Sequence, residues 1–137
     1  VVMNYWLVKS EPTTYSFDRL VKEGTACWDG IRNFAARLDL RGMKKGDAVL
    51  FYESGDNKSV VGQATVTREH YPDPTAPGED WSAVDLKAGK ALATPVSLTQ
   101  IKATKSLKDI PLLKISRLSV MPMPKAAFET IVKMGSK

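Results

Sequence analysis

Gly55-Asp56-Asn57-Lys58 limits the possible folds of this chain most, because these four turn-forming residues separate two strand-length runs. Ala48-Val49-Leu50-Phe51-Tyr52-Glu53-Ser54 comes before it, nearly all apolar, and Val60 to Tyr71 follows with strand-like alternation. The pair reads as a β-hairpin, entered through the turn Lys45-Gly46-Asp47.

Other strands and helices can be placed around that hairpin. Tyr5-Trp6-Leu7-Val8-Lys9 is rich in β-formers, and Pro12 closes it by forcing the residue before it extended. Ser16 can cap a helix from Phe17 to Glu23 that Gly24 stops. After the short apolar link Ala26-Cys27-Trp28, a second helix runs from Asn33 to Leu40, with Phe34, Leu38 and Arg41 at helical spacing and Gly42 at its end. Residues 72–80, with Pro72, Pro74, Pro77 and Gly78, read as an exposed loop. Strands are expected at Trp81–Leu86, Pro95–Leu98 and Leu118–Met121, and a helix at Pro124–Met134. Between them, Leu98 to Lys114 is a covering segment that buries Leu98, Ile101, Leu107, Ile110, Leu112 and Leu113 and leaves its lysines wet. Short strands at close spacing with helices at the crossovers give an α+β fold, a small curved or closed sheet decorated by helices.

The 137 residues suit one domain, and 43% apolar with 26% charged content excludes a disordered or fibrous chain. No apolar stretch is long enough to span a bilayer, and no secretory signal pattern opens the chain, so no membrane partner is expected. Cys27 is the single cysteine and His70 the single histidine, so no disulfide, zinc cluster or other cofactor site is expected. A lone thiol fits a reducing compartment, the cytoplasm, with Cys27 as a small buried hydrophobe and His70 in a surface loop. The net charge is +5, unevenly spread: residues 87–125 hold eight basic residues against Asp109 alone. Such a surface attracts phosphate backbones, although a lysine-rich solvated face would read the same way.

The chemistry concentrates in Trp28-Asp29-Gly30-Ile31-Arg32-Asn33. An indole offers a π-face, Asp29 and Asn33 can read donor and acceptor edges, and Arg32 can neutralise a phosphate or brace a carboxylate. A surface turn carrying a half-buried Trp would use the same residues. For Trp6 and Phe51, core packing is the simpler account. No phosphate-cradling glycine loop, nucleophile elbow or HExxH is present. Glu11, Asp29 and Glu53 could in principle form a two-carboxylate hydrolase, but no spacing fixes their separation. No catalytic residue is assigned.

Four islands in order resemble the EVE domain family: Tyr5-Trp6-Leu7-Val8-Lys9-Ser10-Glu11-Pro12, Trp28 to Asn33, Gly46-Asp47 through Phe51-Tyr52-Glu53-Ser54, and Ser116-Arg117-Leu118-Ser119-Val120. The resemblance implies a PUA-like fold, a small mixed β-barrel with flanking helices, forming one domain over residues 3–137. It also implies a non-enzymatic reader of a modified nucleobase in nucleic acid, a cytosine derivative above all. Carried over by position, Trp28 is the stacking wall and Lys9, Ser10, Glu11, Asp29, Gly30 and Asn33 line the pocket. Tyr52, Ser54, Arg117 and Ser119 complete its rim. Lys102, Lys105 and Lys108 would hold the nucleic-acid backbone, and a monomer is expected. Two positions depart from the family pattern: Glu53 stands where His is common, and Phe34-Ala35 where Tyr-Gln is common. A PUA-like RNA-binding module without modification preference and an enzyme acting through Glu11 or Asp29 are the competing readings.

Overall fold

The computed structural model describes residues 4–31, 34–114 and 118–136. Six strands form one mixed sheet: β1 (Tyr5–Ser10), β2 (Thr25–Trp28), β3 (Ala48–Glu53), β4 (Ser59–Pro72), β5 (Ser82–Ser97) and β6 (Val120–Met123), in the order β2-β5-β4-β3-β1-β6. The helices are α1 (Phe17–Glu23), α2 (Phe34–Gly42), α3 (Leu98–Ala103), α4 (Pro111–Lys114) and α5 (Lys125–Met134), with a 3-10 turn at Lys105–Leu107.

The expected hairpin is present: β3 and β4 pair antiparallel from Ala48↔Thr65 to Glu53↔Ser59. β1 lies parallel to β3, Tyr5↔Ala48 through Ser10↔Glu53, and β6 closes its other side antiparallel. The α+β class holds, but among the described residues the sheet is not a closed barrel, because β2 and β6 end the pairing. It is nevertheless strongly curled. Three inter-strand steps separate β2 from β3, about 14 Å across a flat sheet at ~4.8 Å per step. Yet Trp28 of β2 packs on Phe51 of β3 with ring centroids 5.6 Å apart. The curl comes from the bulged β3/β4 and β4/β5 registers, where an extra residue bends the strand. Gly62 permits it at one bulge, since a Cβ there would overlap the Phe17 ring.

Several sequence expectations need correction. Residues 81–86 and 95–98 are not two strands: one strand, β5, runs through them, and Leu98 opens α3 instead. The interior of β5 is Ala/Gly/Lys-rich, and Gly89 is needed where a Cβ would come within 2.9 Å of the Gln63 carbonyl. The link Ala26-Cys27-Trp28 is part of edge strand β2, whose alternation buries Ala26 and Trp28 and exposes Cys27, so the buried-hydrophobe reading of that thiol fails. The loop at 72–80 is tied down, with Asp73 and Ala76 buried. In α2 the core face is Ala36 and Leu40, followed by Met43, while Phe34 and Leu38 face solvent.

The core is otherwise the expected one. Leu7, Val8, Val49, Leu50 and Phe51 are fully enclosed, and Trp6 is buried with its indole N–H donating to Asp47 at 2.9 Å. The covering segment buries Ile101, Leu107, Ile110 and Leu112 and leaves Lys102, Lys105 and Lys108 exposed.

Candidate nucleic-acid interface

The curl leaves a seam between the C-terminal ends of β1 and β2, and a cavity of about 310 Å³ lies in it. From β1 and the following turn come Lys9, Ser10, Glu11, Thr14 and Tyr15; from β2 and its turn come Cys27, Trp28, Asp29 and Ile31. Period-2 alternation puts Trp28 on the core side of β2, where Phe51 meets it edge-on from beneath and Tyr15 edge-on from the side, centroids 5.6 and 5.8 Å away. Only 8% of Trp28 is exposed, so one ring closes the core and floors the cavity.

The walls are fixed by short hydrogen bonds. The Glu11 carbonyl accepts the N–H groups of Thr14 and Tyr15 at 2.9 and 2.8 Å, and Ser10 Oγ donates to the Tyr15 carbonyl at 2.5 Å. The Tyr15 hydroxyl donates to Glu23 at 2.5 Å. Desolvation first, and then the Glu23 carboxylate, push its phenol up to about 12, so it stays neutral near pH 7. Burial lowers the Lys9 ammonium from its ordinary value, and its Nζ lies 5.9 Å from the Tyr52 ring centroid. Among the described residues of the cavity, the carboxylates are Glu11 and Asp29 and the ammonium is Lys9.

Sequence reasoning missed Asp73. It is 1% exposed, and its Oδ2 accepts the Gly30 N–H at 2.8 Å while its Oδ1 takes the Thr75 N–H and hydroxyl at 2.7 and 2.6 Å. This bond pins the Asp29-Gly30 turn, where Gly30 has φ +75°, a conformation that disfavours side chains. The one signal for it is Asp73-Pro74-Thr75, an aspartate at the head of a turn.

The other expected site residues divide. Lys9, Ser10, Glu11, Trp28 and Asp29 share the cavity, and Gly30 forms its turn. Tyr52, Ser54 and Ser119 support it from outside the lining: Tyr52 is buried, Ser54 Oγ donates to Glu11 at 3.4 Å, and the Ser119 carbonyl accepts the Lys9 N–H at 2.8 Å. Arg32, Asn33 and Arg117 lie outside the described residues. Glu53 does not line the cavity; it is buried, taking the Phe17 N–H at 2.8 Å and the Asn57 amide at 2.6 Å. Of the three carboxylates considered for a two-carboxylate arrangement, Glu53 is therefore set apart, while Glu11 and Asp29 share the cavity. Lys102, Lys105 and Lys108 do not line the cavity; they follow Ser97, which the pairing of Ser97 with Ser59, Ser59 with Glu53 and Glu53 with Ser10 links to the β1 side of the cavity, whereas Trp28 pairs with Val84 near the other end of β5.

Cys27 opens onto the cavity beside the Tyr71 hydroxyl, which lies 2.9 Å from its sulfur and also bonds to Asp85. A phenol has one proton to give, and the carboxylate is the stronger acceptor. Partial burial, with added repulsion from Asp29 and Asp85, raises the Cys27 thiol above its ordinary value, although the Tyr71 contact opposes the rise.

Fold and cavity together define a mixed α+β domain of PUA-like kind with an aromatic-floored, polar-rimmed pocket. The EVE domain model matches residues 4–134, and the chain belongs to that family. Mouse thymocyte nuclear protein 1 is 33% identical, the match covering 96% of this chain and 73% of that protein. A Rhodopseudomonas palustris protein solved by NMR superposes with a TM-score of 0.92 at 44% identity, over 97% of this chain and 93% of that one. Human THYN1, crystallised in complex with 5-methylcytosine containing DNA, superposes with a TM-score of 0.90 at 28% identity, over 98% of both chains.

Two predictions follow from this geometry. Replacing Asp73 with Ala strands the Gly30 and Thr75 donors, and urea denaturation should show a loss of about 2–4 kcal/mol. A loss below about 0.5 kcal/mol would show that the turn holds itself. Because a raised thiol pKa leaves less thiolate, Cys27 should react with iodoacetamide more slowly at pH 7 than an unstructured cysteine peptide, and the gap should narrow as pH rises. Equal rates at pH 7 would contradict the assignment.

Proposed function

We propose that this domain binds nucleic acid and seats one extruded base, a modified cytosine, in the Trp28 cavity, without catalysing a reaction on it. The observation that carries the reading is the cavity itself: an indole floor beneath a rim of one ammonium and two carboxylates. Its size is at the lower end of ligand pockets, ~300–1,000 Å³, and suits one small ring.

The charge balance selects the ligand. Glu11 and Asp29 beside the indole disfavour a phosphate there, so the group that enters should be a base, with the backbone outside. Cytosine presents an N4 amino donor, which Glu11 or Asp29 can accept; its neighbouring acceptors suit the Lys9 ammonium. Thymine offers an acceptor where cytosine has that donor, so it meets a carboxylate unfavourably. Ile31 and Tyr15 supply apolar surface for a 5-methyl group. Extrusion costs a few kcal/mol, and contact with an aromatic floor returns about 1–3 kcal/mol per base. Exposed Lys102, Lys105 and Lys108, which follow Ser97 on the β1 side of the cavity, would hold the backbone. The DNA complex of the human relative supports the same class of ligand.

Anisotropy titrations with oligonucleotides that differ at one base test the reading. The 5-methylcytosine strand should bind about tenfold more tightly than plain cytosine, and thymine should bind worst. Glu11→Gln and Asp29→Asn should narrow the gap between 5-methylcytosine and thymine, while Trp28→Phe should weaken the tightest complex most. Equal affinities throughout, with steep salt dependence, would instead indicate an RNA-binding module indifferent to base modification.

A further inference from the structure

Phe34 belongs to neither the core nor the cavity. It opens α2 with 68% of its surface exposed, and Trp81 stacks on it with centroids 5.5 Å apart and planes 23° from parallel. One turn along the helix, Arg37 lays its guanidinium against both rings, 4.9 Å from the Phe34 centroid and 5.3 Å from that of Trp81. Asp80 holds it there, its carbonyl and carboxylate accepting from Nη1 at 3.0 and 3.2 Å. The Arg37 Nε is buried with no hydrogen-bond partner. This guanidinium is thus used for its flat face as well as for its donors, although the stranded N–H costs stability. Leu38, also largely exposed, extends the patch. A pre-stacked aromatic pair left open to water contributes little to folding and is the kind of surface that marks a binding site.

Two connections tie this pair to the cavity. Asp73, which accepts the Gly30 N–H at the cavity turn, donates its own N–H to the Trp81 carbonyl at 2.9 Å. The turn and the aromatic pair are thereby held by one buried residue. Ile31 lines the cavity and Phe34 follows three residues later, so their Cα atoms are within about 11 Å. Bases along one strand rise about 3.4 Å apiece, which puts close neighbours of a base in the cavity within reach of Phe34.

We propose that the Phe34–Trp81 pair is a second stacking platform that receives an unpaired base flanking the one in the cavity. The proposal rests on the base-reading function above, and it makes the domain a reader of a short stretch of strand in place of a single base. Its ligand class is single-stranded or locally opened nucleic acid at least two nucleotides long.

The test uses two ligands: 5-methyl-deoxycytidine monophosphate, which can fill only the cavity, and a pentanucleotide with 5-methylcytosine at its centre. Each is titrated against the wild-type domain, Phe34→Ala and Phe34→Trp. Because Phe34 is exposed, neither substitution threatens the core. Phe34→Ala should weaken pentanucleotide binding by about five- to a hundredfold, Phe34→Trp should restore it, and both variants should bind the mononucleotide as wild type does. Unchanged pentanucleotide affinity in Phe34→Ala, with the mononucleotide still bound, would overturn the platform and leave the cavity reading intact. A wild-type domain that binds neither ligand would overturn both. Sedimentation showing a wild-type dimer that Phe34→Ala dissolves would reassign the patch to a second copy of the chain and overturn the proposal.

Discussion

The rest of the site depends on a buried charge. Asp73 is almost wholly removed from solvent, and its carboxylate accepts donors from Gly30 and Thr75 that offset the cost of burial. The Gly30 N–H reaches Asp73 only if the Asp29-Gly30 turn lies against the loop that follows β4. Geometry is therefore imposed on the cavity from behind: the end of edge strand β2 is fixed relative to a loop 43 residues away.

The second constraint is the curl of the sheet. Parallel pairing of β1 with β3 delivers Lys9 and Ser10 to one end of the sheet, and the bulged β4 and β5 bring β2 round to meet them. The circle does not close, and the unclosed seam is the cavity. Trp28 acts where the two constraints meet, because its indole packs against Phe51 in the core and against Tyr15 in the wall. Core stability and pocket shape are therefore coupled through one side chain.

Much of this was legible in the chain. The hairpin around Gly55-Asp56-Asn57-Lys58, the capped helix after Ser16 and the wet lysines over Ile101 and Leu107 each follow from local pattern, and each is present. The family resemblance placed Lys9 to Glu11 beside Trp28 and Asp29, a contact between strands that no local pattern predicts. Long-range partners were not legible. Asp73 sits in a proline-rich stretch that reads as exposed, and its burial depends on a turn 43 residues distant. Glu53 looks like a site residue in its motif, but its carboxylate is taken up by the Phe17 N–H at the start of α1 and by the Asn57 amide. Ser97 and Gln100 form a capping box whose S-x-x-Q spacing is visible in the sequence; it marks the end of β5, which was read as continuing into Leu98. Phe34 and Leu38 fell at helical spacing, yet Ala36 and Leu40 form the buried face, because two small steps in register decide which stripe meets the sheet.

Intermolecular NOEs between the labelled domain and a 5-methylcytosine oligonucleotide measure the central claim most directly. The account predicts contacts from the methyl and ring protons of that one base to Trp28, Tyr15 and Ile31. Contacts confined to the lysines between residues 102 and 108, with the Trp28 indole signals unmoved, would contradict it.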